Sequence, residues 1–300
     1  MSDDLGRAEG VSDQVGFADD KQDSTLGKMW DSLKKNKAAV LGLFLVIFLV
    51  LFATVGRIFM PYNPNLTEES AANPRSPSQS HIFGTDEHGR DIFSRVLDGA
   101  GISVFVGIVS VAFSLFFGIV LGAVAGYYGG KLDSIIMRSM DTMLAIPSIL
   151  LAMSLMLALG SGIEKIIVAI GFVAIPQYAR IIRGSVLSER ETDYVKAAKI
   201  IGSSDSLIIF KGILPNIISG VVVRATLGIS GAILELAALG FLGLGIQPPQ
   251  AEWGTMLSES RRYILQAPHT LIFPGAAITL TVMAFNLLGD GLRDILDPKS

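Results

Sequence analysis

Cysteine is absent from this 300-residue chain, and histidine occurs only three times. The first absence excludes disulfides, zinc–thiolate sites and thiol catalysis. Charge is also scarce: 17% of residues are charged, and the formal net charge is −3. Soluble domains carry about 25% charged residues. There is no basic excess to attract nucleic acid. The sequence G-x-x-x-x-G-K-[ST] does not occur, so no P-loop is available to cradle nucleotide phosphates. Gly129-Gly130-Lys131 ends like such a loop but lacks the rest of it.

Half of the residues are hydrophobic, and they cluster into long runs. That pattern marks an all-α integral membrane protein, since a spanning helix needs about 20 mostly apolar residues. Six spans are predicted: 38–60, one within 99–130, 142–162, 166–182, 217–246 and 270–289. The fourth is the least apolar. The first run starts near Ala38, later than a secretory signal would, and is read as a retained span. Residues 1–24 are acidic and poor in large apolar side chains, which predicts a disordered tail. Residues 25–37 place Leu26, Met29, Trp30 and Leu33 on one face, which predicts a helix lying on the membrane surface. Residues 38–300 then form the membrane domain. With both termini cytoplasmic, 17 of the 24 Lys and Arg residues fall on the inner side and 7 on the outer side. This bias favours that orientation. It makes 61–98 and 247–269 outer loops and 183–216 a cytoplasmic loop.

The cytoplasmic loop is polar and helix-forming. Ser188 and Glu191 have capping-box spacing, which predicts a helix start there. Tyr194, Val195, Ala198 and Ile201 should share one face, and Gly202 is a natural stop. Ser204 or Asp205 should cap a second short helix, and Pro215 should break the chain before span five. The small apolar face around Ala197 and Ala198 is too slight for a domain and suits a partner's groove; an ordinary loop folded back on the bundle is the plainer alternative.

Lys196-Ala197-Ala198, Gly202 and Leu214-Pro215, spaced KAA-x3-G-x11-LP, resemble the EAA loop of permease subunits in bacterial ABC importers. The usual Glu of that loop is Lys196 here. "HIFGTDEHGRDIFSRVLDGA" (81–100) resembles the outer-loop signature of the dipeptide/oligopeptide/nickel permease group. "AALGFLGLGIQPPQAEWGTMLSES" (237–260) and "FNLLGDGLRDILDPK" (285–299) resemble the end of its C-type subunit. "MLAIPSILLAMSL" is similar to the dipeptide branch. The resemblance implies a six-helix type I permease of the bacterial inner membrane, not an enzyme, carrying half of a translocation path. It implies a B-type permease as heterodimer partner, two ABC ATPase subunits that bind ATP and Mg, a periplasmic or extracellular substrate-binding protein, and a peptide cargo. Oligopeptide or nickel transport are the alternatives within the family. The coupling contact is then expected at Tyr194, Lys196, Ala197, Ala198, Gly202, Leu214 and Pro215. Gly84, Thr85, Asp86, Gly89, Arg90 and Asp91 are expected to be a structural signature of the outer loop.

Glu235 lies among Leu, Ala and Gly in span five. A carboxylate there costs about 2.5–3.5 kcal/mol, so it should face a cavity or a partner; a role in the path or its gate is expected, with a structural ion pair as the alternative. Asp141 and Arg224 are expected to pair across helices. Pro147 and Pro176 should kink spans three and four. Gly118, Gly122 and Gly126 form a small-xxx-small ridge, and Gly228, Gly231, Gly240, Gly243 and Gly245 suggest similar packing in span five. His88, among carboxylates, invites a metal reading, but one His in an acidic run is weak support and no metal site is expected. Gly228-Ile229-Ser230-Gly231 with His269 suggests an intramembrane serine hydrolase, which requires the two side chains to meet. A secondary carrier would transport alone on an ion gradient; the cytoplasmic Ala-Ala helix argues against it.

Overall fold

The computed structural model describes residues 36–67 and 73–296. The predicted tail, and all but the last two residues of the predicted surface helix, lie outside them. Among the described residues the fold is helical, with a single isolated β-bridge between Thr85 and Asp91. Five helices are long and apolar enough to cross a membrane, and a bent pair makes up to six.

The first, α1 (Lys37–Val55), starts where the Asn36 carboxamide accepts from the amides of Ala38 and Ala39, at 3.0 and 3.2 Å. It presents Phe44, Ile47, Phe48 and Leu51 outward, and only 17% of its spanning window is buried. Its other face lies on α9 (His269–Leu296), where Gly42 admits the Leu287–Leu288 backbone and Gly291 admits Ala39.

Helix α2 runs from Ile92 to Tyr128, 37 residues or roughly 55 Å. It begins seven residues before the predicted charge-free span. The Asp91 carboxylate accepts from both the amide and the hydroxyl of Ser94, each at 2.8 Å, and nucleates the helix inside the predicted loop. Helix α5 (Ile163–Arg190) packs along it. A Cβ on Gly118 would stand 3.2 Å from the Ala179 amide, and one on Gly122 2.6 Å from the Ala179 carbonyl oxygen. One on Gly126 would stand 2.9 Å from the Arg183 carbonyl oxygen. The ridge therefore brings backbone to backbone. It also explains why span four is the least apolar: 56% of its window is covered by protein rather than facing outward. Pro176 sits inside α5, whose helix continues through it.

Span three is different. It is two helices, α3 (Gly130–Leu144) and α4 (Ser148–Leu159), bent by 91°. Proline disfavours helical geometry in the residue before it and lacks an amide proton to donate. Pro147 itself is extended, with ψ 131°, so the bend is a break rather than a kink.

After α5 come α6 (Asp193–Ile200), a helical turn at Asp205–Leu207, a π-helical stretch at Ile208–Ile213, and α7 (Leu214–Phe241). Pro215 was expected to break the chain. Instead the chain stays helical from Asp205 to Phe241. The wider π turn lies directly before the proline, where a regular i→i−4 bond has no donor. The five span-five glycines do not act alike. Gly228 meets Tyr178, Gly240 meets Glu252 and Gly245 meets Gly240, whereas Gly231 and Gly243 face nothing within 4 Å. Gly243 instead supplies a left-handed turn, φ 80°, at the end of α7. Helix α8 (Trp253–Ser260) then packs against α7 and α9.

Replacing Gly122 by valine should cost about 1–3 kcal/mol through overpacking, read as a lower unfolding temperature in detergent. Gly184 lies on the same helix pair and faces nothing within 4 Å. Gly184→Ala should be neutral or stabilising by up to about 1 kcal/mol.

Candidate functional site

Three polar constructions interrupt the apolar bundle. The first surrounds α6. Helix α5 runs through Arg190, so no helix begins at Ser188 as the capping-box spacing predicted. Arg190 explains the difference: its guanidinium donates to the carbonyls of Gly126 and Tyr127, at 3.3 and 3.0 Å, and ties the last turn of α5 to the end of α2. The chain then turns at Thr192, whose hydroxyl donates to the Glu189 carbonyl at 2.7 Å. Tyr194 donates to the Glu189 carboxylate at 2.8 Å, and Asn216 donates to both of them at 2.9 and 3.0 Å. One network thus joins α5, α6 and the start of α7. Burial, then the Glu189 bond, pushes the Tyr194 hydroxyl above its ordinary range.

Val195 is fully buried and Ala198 half-buried. Lys196 and Ala197 are exposed, and Lys196 forms no side-chain hydrogen bond or ion pair among the described residues. Gly202 ends the helix at φ 81°, with the Ser203 amide donating to Ala198 at 3.0 Å and the Gly202 amide to Lys199 at 3.1 Å. That closure turns Ile201 outward, contrary to the predicted shared face: Ile200 is 85% exposed and Ile201 80%. Ser204 caps the following turn, accepting from the Leu207 amide at 3.4 Å. Asp205 instead accepts from the Tyr127 hydroxyl at 2.7 Å, and Lys199 lies 4.6 Å from the centre of the Tyr127 ring. Leu214 is half-buried and Pro215 exposed. The roles of Tyr127, Arg190, Glu189 and Asn216 were not anticipated. The one usable signal was the Tyr127-Tyr128 pair at the end of a span, where aromatic residues mark an interface.

The second construction lies at the other end, on the 81–100 segment. Gly84 and Gly89 take left-handed φ values of 78° and 73° and fold the chain back so that the Asp86 amide donates to the Arg90 carbonyl. Gly84 also lies against the His269 ring. The Thr85 hydroxyl accepts from the Arg75 amide at 3.0 Å. Arg90 is buried. Its Nε donates to Asp86 at 2.6 Å and its Nη2 to Glu259 of α8 at 2.8 Å. Arg95 lies beside the same carboxylates, at 3.5 and 3.6 Å, and donates to the carbonyls of Pro64 and Pro249. All six signature residues therefore meet in one clasp between the two loops. Among the described residues no group of three or more His, Asp or Glu side chains could hold a metal ion. The Asp86 carboxylate is occupied by Arg90 and by the amides of His88 and Arg90. Beside the clasp, Glu252 caps α8 through the amides of Gly254 and Thr255, at 2.7 and 2.8 Å. Burial pushes its carboxyl up, against the pull of those donors. Trp253 is buried below it and donates to the Val96 carbonyl at 3.1 Å.

The third is a cavity of about 280 Å³ between α2, α4, α5 and α7. It is lined by Glu235 and Arg224 together with Ser110, Ser148, Gln177 and Tyr178, among others. The expected Asp141–Arg224 pair does not form. Asp141 binds Arg180 at 2.6 Å, since α3 lies along α5 once the chain has broken at Pro147. The neighbouring Asp133 binds Arg183, with Nη2 to Oδ2 at 2.6 Å. Ser230 donates to Asn286 at 2.7 Å and to the Leu227 carbonyl at 2.6 Å, while His269 sits against the 81–100 clasp. The hydroxyl is thus occupied by partners other than His269, which removes the hydrolase arrangement.

The described residues form a helical multi-span bundle with a short helix at one end and a clasped loop pair at the other, and comparison with known proteins fixes its class as a membrane permease subunit. The chain belongs to the family of binding-protein-dependent transport system inner membrane components, which it matches over residues 118–300. Residues 24–77 match the N-terminal TM domain of oligopeptide transport permease C. It is 49% identical to the dipeptide transport system permease protein DppC of Alkalihalophilus pseudofirmus, over 89% of this chain and 88% of that one. To the glutathione transport system permease protein GsiD of Pectobacterium atrosepticum it is 45% identical, with the same coverages. It is 43% identical to the di/tripeptide transport system permease protein DppC of Pseudomonas aeruginosa, over 92% and 93%. The inward-facing MetNI methionine ABC transporter shares the fold, with a TM-score of 0.57 at 20% identity, covering 67% of this chain and 96% of that one. The protein is accordingly a multi-pass subunit of an inner-membrane ABC importer, working in a complex with permease, ATPase and substrate-binding partners rather than as an enzyme.

Arg90→Ala should leave Asp86 and Glu259 with only the more distant Arg95 as cation, at a cost of about 1–3 kcal/mol for the lost buried hydrogen bonds. The expected readout is faster proteolysis of both loops and a lower unfolding temperature. Arg90→Lys should recover only part of it, because one ammonium cannot reproduce the forked contact.

Proposed function

We propose that this chain is the C-type permease subunit of a short-peptide importer, most specifically for dipeptides, and that it forms half of the translocation path beside a B-type permease. The observation that carries the coupling assignment is α6. It is short, exposes Ala197 with Ile200 and Ile201, and is tied to three helices through Glu189, Tyr194, Asn216 and Arg190. A push on such a helix moves α2, α5 and α7 together. Two ATPase subunits bind ATP and Mg and close beneath it, with Tyr194, Lys196, Ala197, Ala198, Gly202, Leu214 and Pro215 forming the coupling loop. Lys196 offers the ATPase a cation where the family usually offers a carboxylate, so the facing contact is to an acceptor.

Both termini and α6 are placed in the cytoplasm, in keeping with the bias of basic residues. The Gly84–Asp91 clasp then faces outward as a structural platform on which a substrate-binding protein docks. The dipeptide, di/tripeptide and glutathione names of the relatives support small peptidic cargo. Glu235 lies on the path. The membrane domain is residues 38–300.

Placing Asp at both Ala197 and Ala198 should abolish dipeptide uptake while the chain still inserts in the membrane and assembles. Uptake of a radiolabelled dipeptide and membrane fractionation measure the two. Normal uptake in the double variant would sink the coupling assignment.

A further inference from the structure

Glu235 and Arg224 are the charged side chains lining the cavity among the described residues. Neither has an ion-pair partner among those residues, and Ser148 lines the same cavity beside Glu235. They lie eleven residues apart on α7, three helical turns, and so on one face. The rise between them is about 16.5 Å. Glu235 is at the end near α8, Arg224 at the end near the π-helical stretch. Between them the wall is neutral. Ser110, 1% exposed, has a hydroxyl with no partner there. Glu235 is half-buried, whereas Arg224 is exposed at the cavity's other end, where it also borders a second hollow beside Arg293. A half-buried carboxylate in apolar surroundings is costly unless something of opposite polarity meets it.

We propose that the cavity recognises both charged ends of a short zwitterionic peptide, with Glu235 facing its ammonium group and Arg224 its carboxylate. Two to four extended residues span about 7–14 Å, which leaves each terminus within side-chain reach of one charge. Ser110 and Gln177 are placed to meet the intervening peptide groups. The volume of about 280 Å³ falls just below the roughly 300–1,000 Å³ usual for small-molecule sites, which suits a very small ligand. Longer chains, and peptides blocked at either end, are disfavoured. This rests on the peptide-permease reading and adds a selectivity step inside the membrane, separate from that of the binding protein.

The test uses the assembled transporter, purified in detergent without its binding protein. Binding of dialanine is compared with that of its N-acetyl and C-amide forms. Glu235→Gln should weaken dialanine roughly ten- to a hundredfold and leave N-acetyl-dialanine unchanged, because that ligand has no ammonium to lose. Arg224→Gln should do the same for dialanine against the C-amide. Glu235→Asp and Arg224→Lys, which keep the charges, should retain the preference and control for folding. Equal loss for free and blocked ligands, or no loss, overturns the proposal. So does wild-type complex that imports dialanine with its binding protein yet shows no binding without it. Absence of ATP-driven dialanine import by the complete wild-type transporter would instead overturn the peptide-permease reading.

Discussion

Gly118, Gly122 and Gly126 let α2 lie against α5 so closely that the main chain of Ala179 and Arg183 stands where side chains would otherwise be. In a bilayer the apolar effect does not press helices together, so close van der Waals packing must do so. The other elements hang on this seam. Arg190 closes one end of it onto the carbonyls of α2, and Asp133 and Asp141 hold α3 along its side through Arg183 and Arg180. Because the seam is glycine on one side and backbone on the other, it has little freedom to slide. Displacements of α6 are therefore passed to a rigid pair.

Five of the six predicted spanning segments and the glycine ridge were legible in the sequence, because both follow from runs and spacings along one helix; the sixth, span three, is the bent pair. The ends of the helices were not. Ile92 begins α2 because Asp91 caps it, and α5 continues to Arg190 because a partner 63 residues earlier in the chain holds its last turn. Asp141 and Arg224 look like partners when spans three and five are drawn as straight rods. The break at Pro147 lays α3 beside α5 and hands Asp141 to Arg180. The weak fourth span was weak for a physical reason: hydropathy counts exposure to lipid, and α5 is covered mainly by protein. Pro215 misled because a π-helical stretch absorbs the missing donor, and no composition rule marks that stretch.

Glu235 stood out in the sequence as a charge without an obvious partner, and the structure keeps it unpaired. Arg224 did not stand out, since a partner seemed available. Once Asp141 is removed, the two become opposite poles of one space. The two ends of the molecule show the contrary solution. There the charged groups have partners, Arg90 in ion pairs with Asp86 and Glu259 at one end, and Glu189 in hydrogen bonds from Tyr194 and Asn216 at the other. Matched groups resist rearrangement, and unmatched ones invite an occupant.

Ile200 and Ile201 carry a consequence for affinity. Each is at least four-fifths bare, and fully covering an isoleucine is worth about 1.5–3 kcal/mol. Together they hold some 3–6 kcal/mol, a factor of roughly a hundred to ten thousand in an association constant. Because Gly202 fixes the turn that exposes them, the chain carries that reserve preformed, and whatever covers the pair need not first order the helix that presents it.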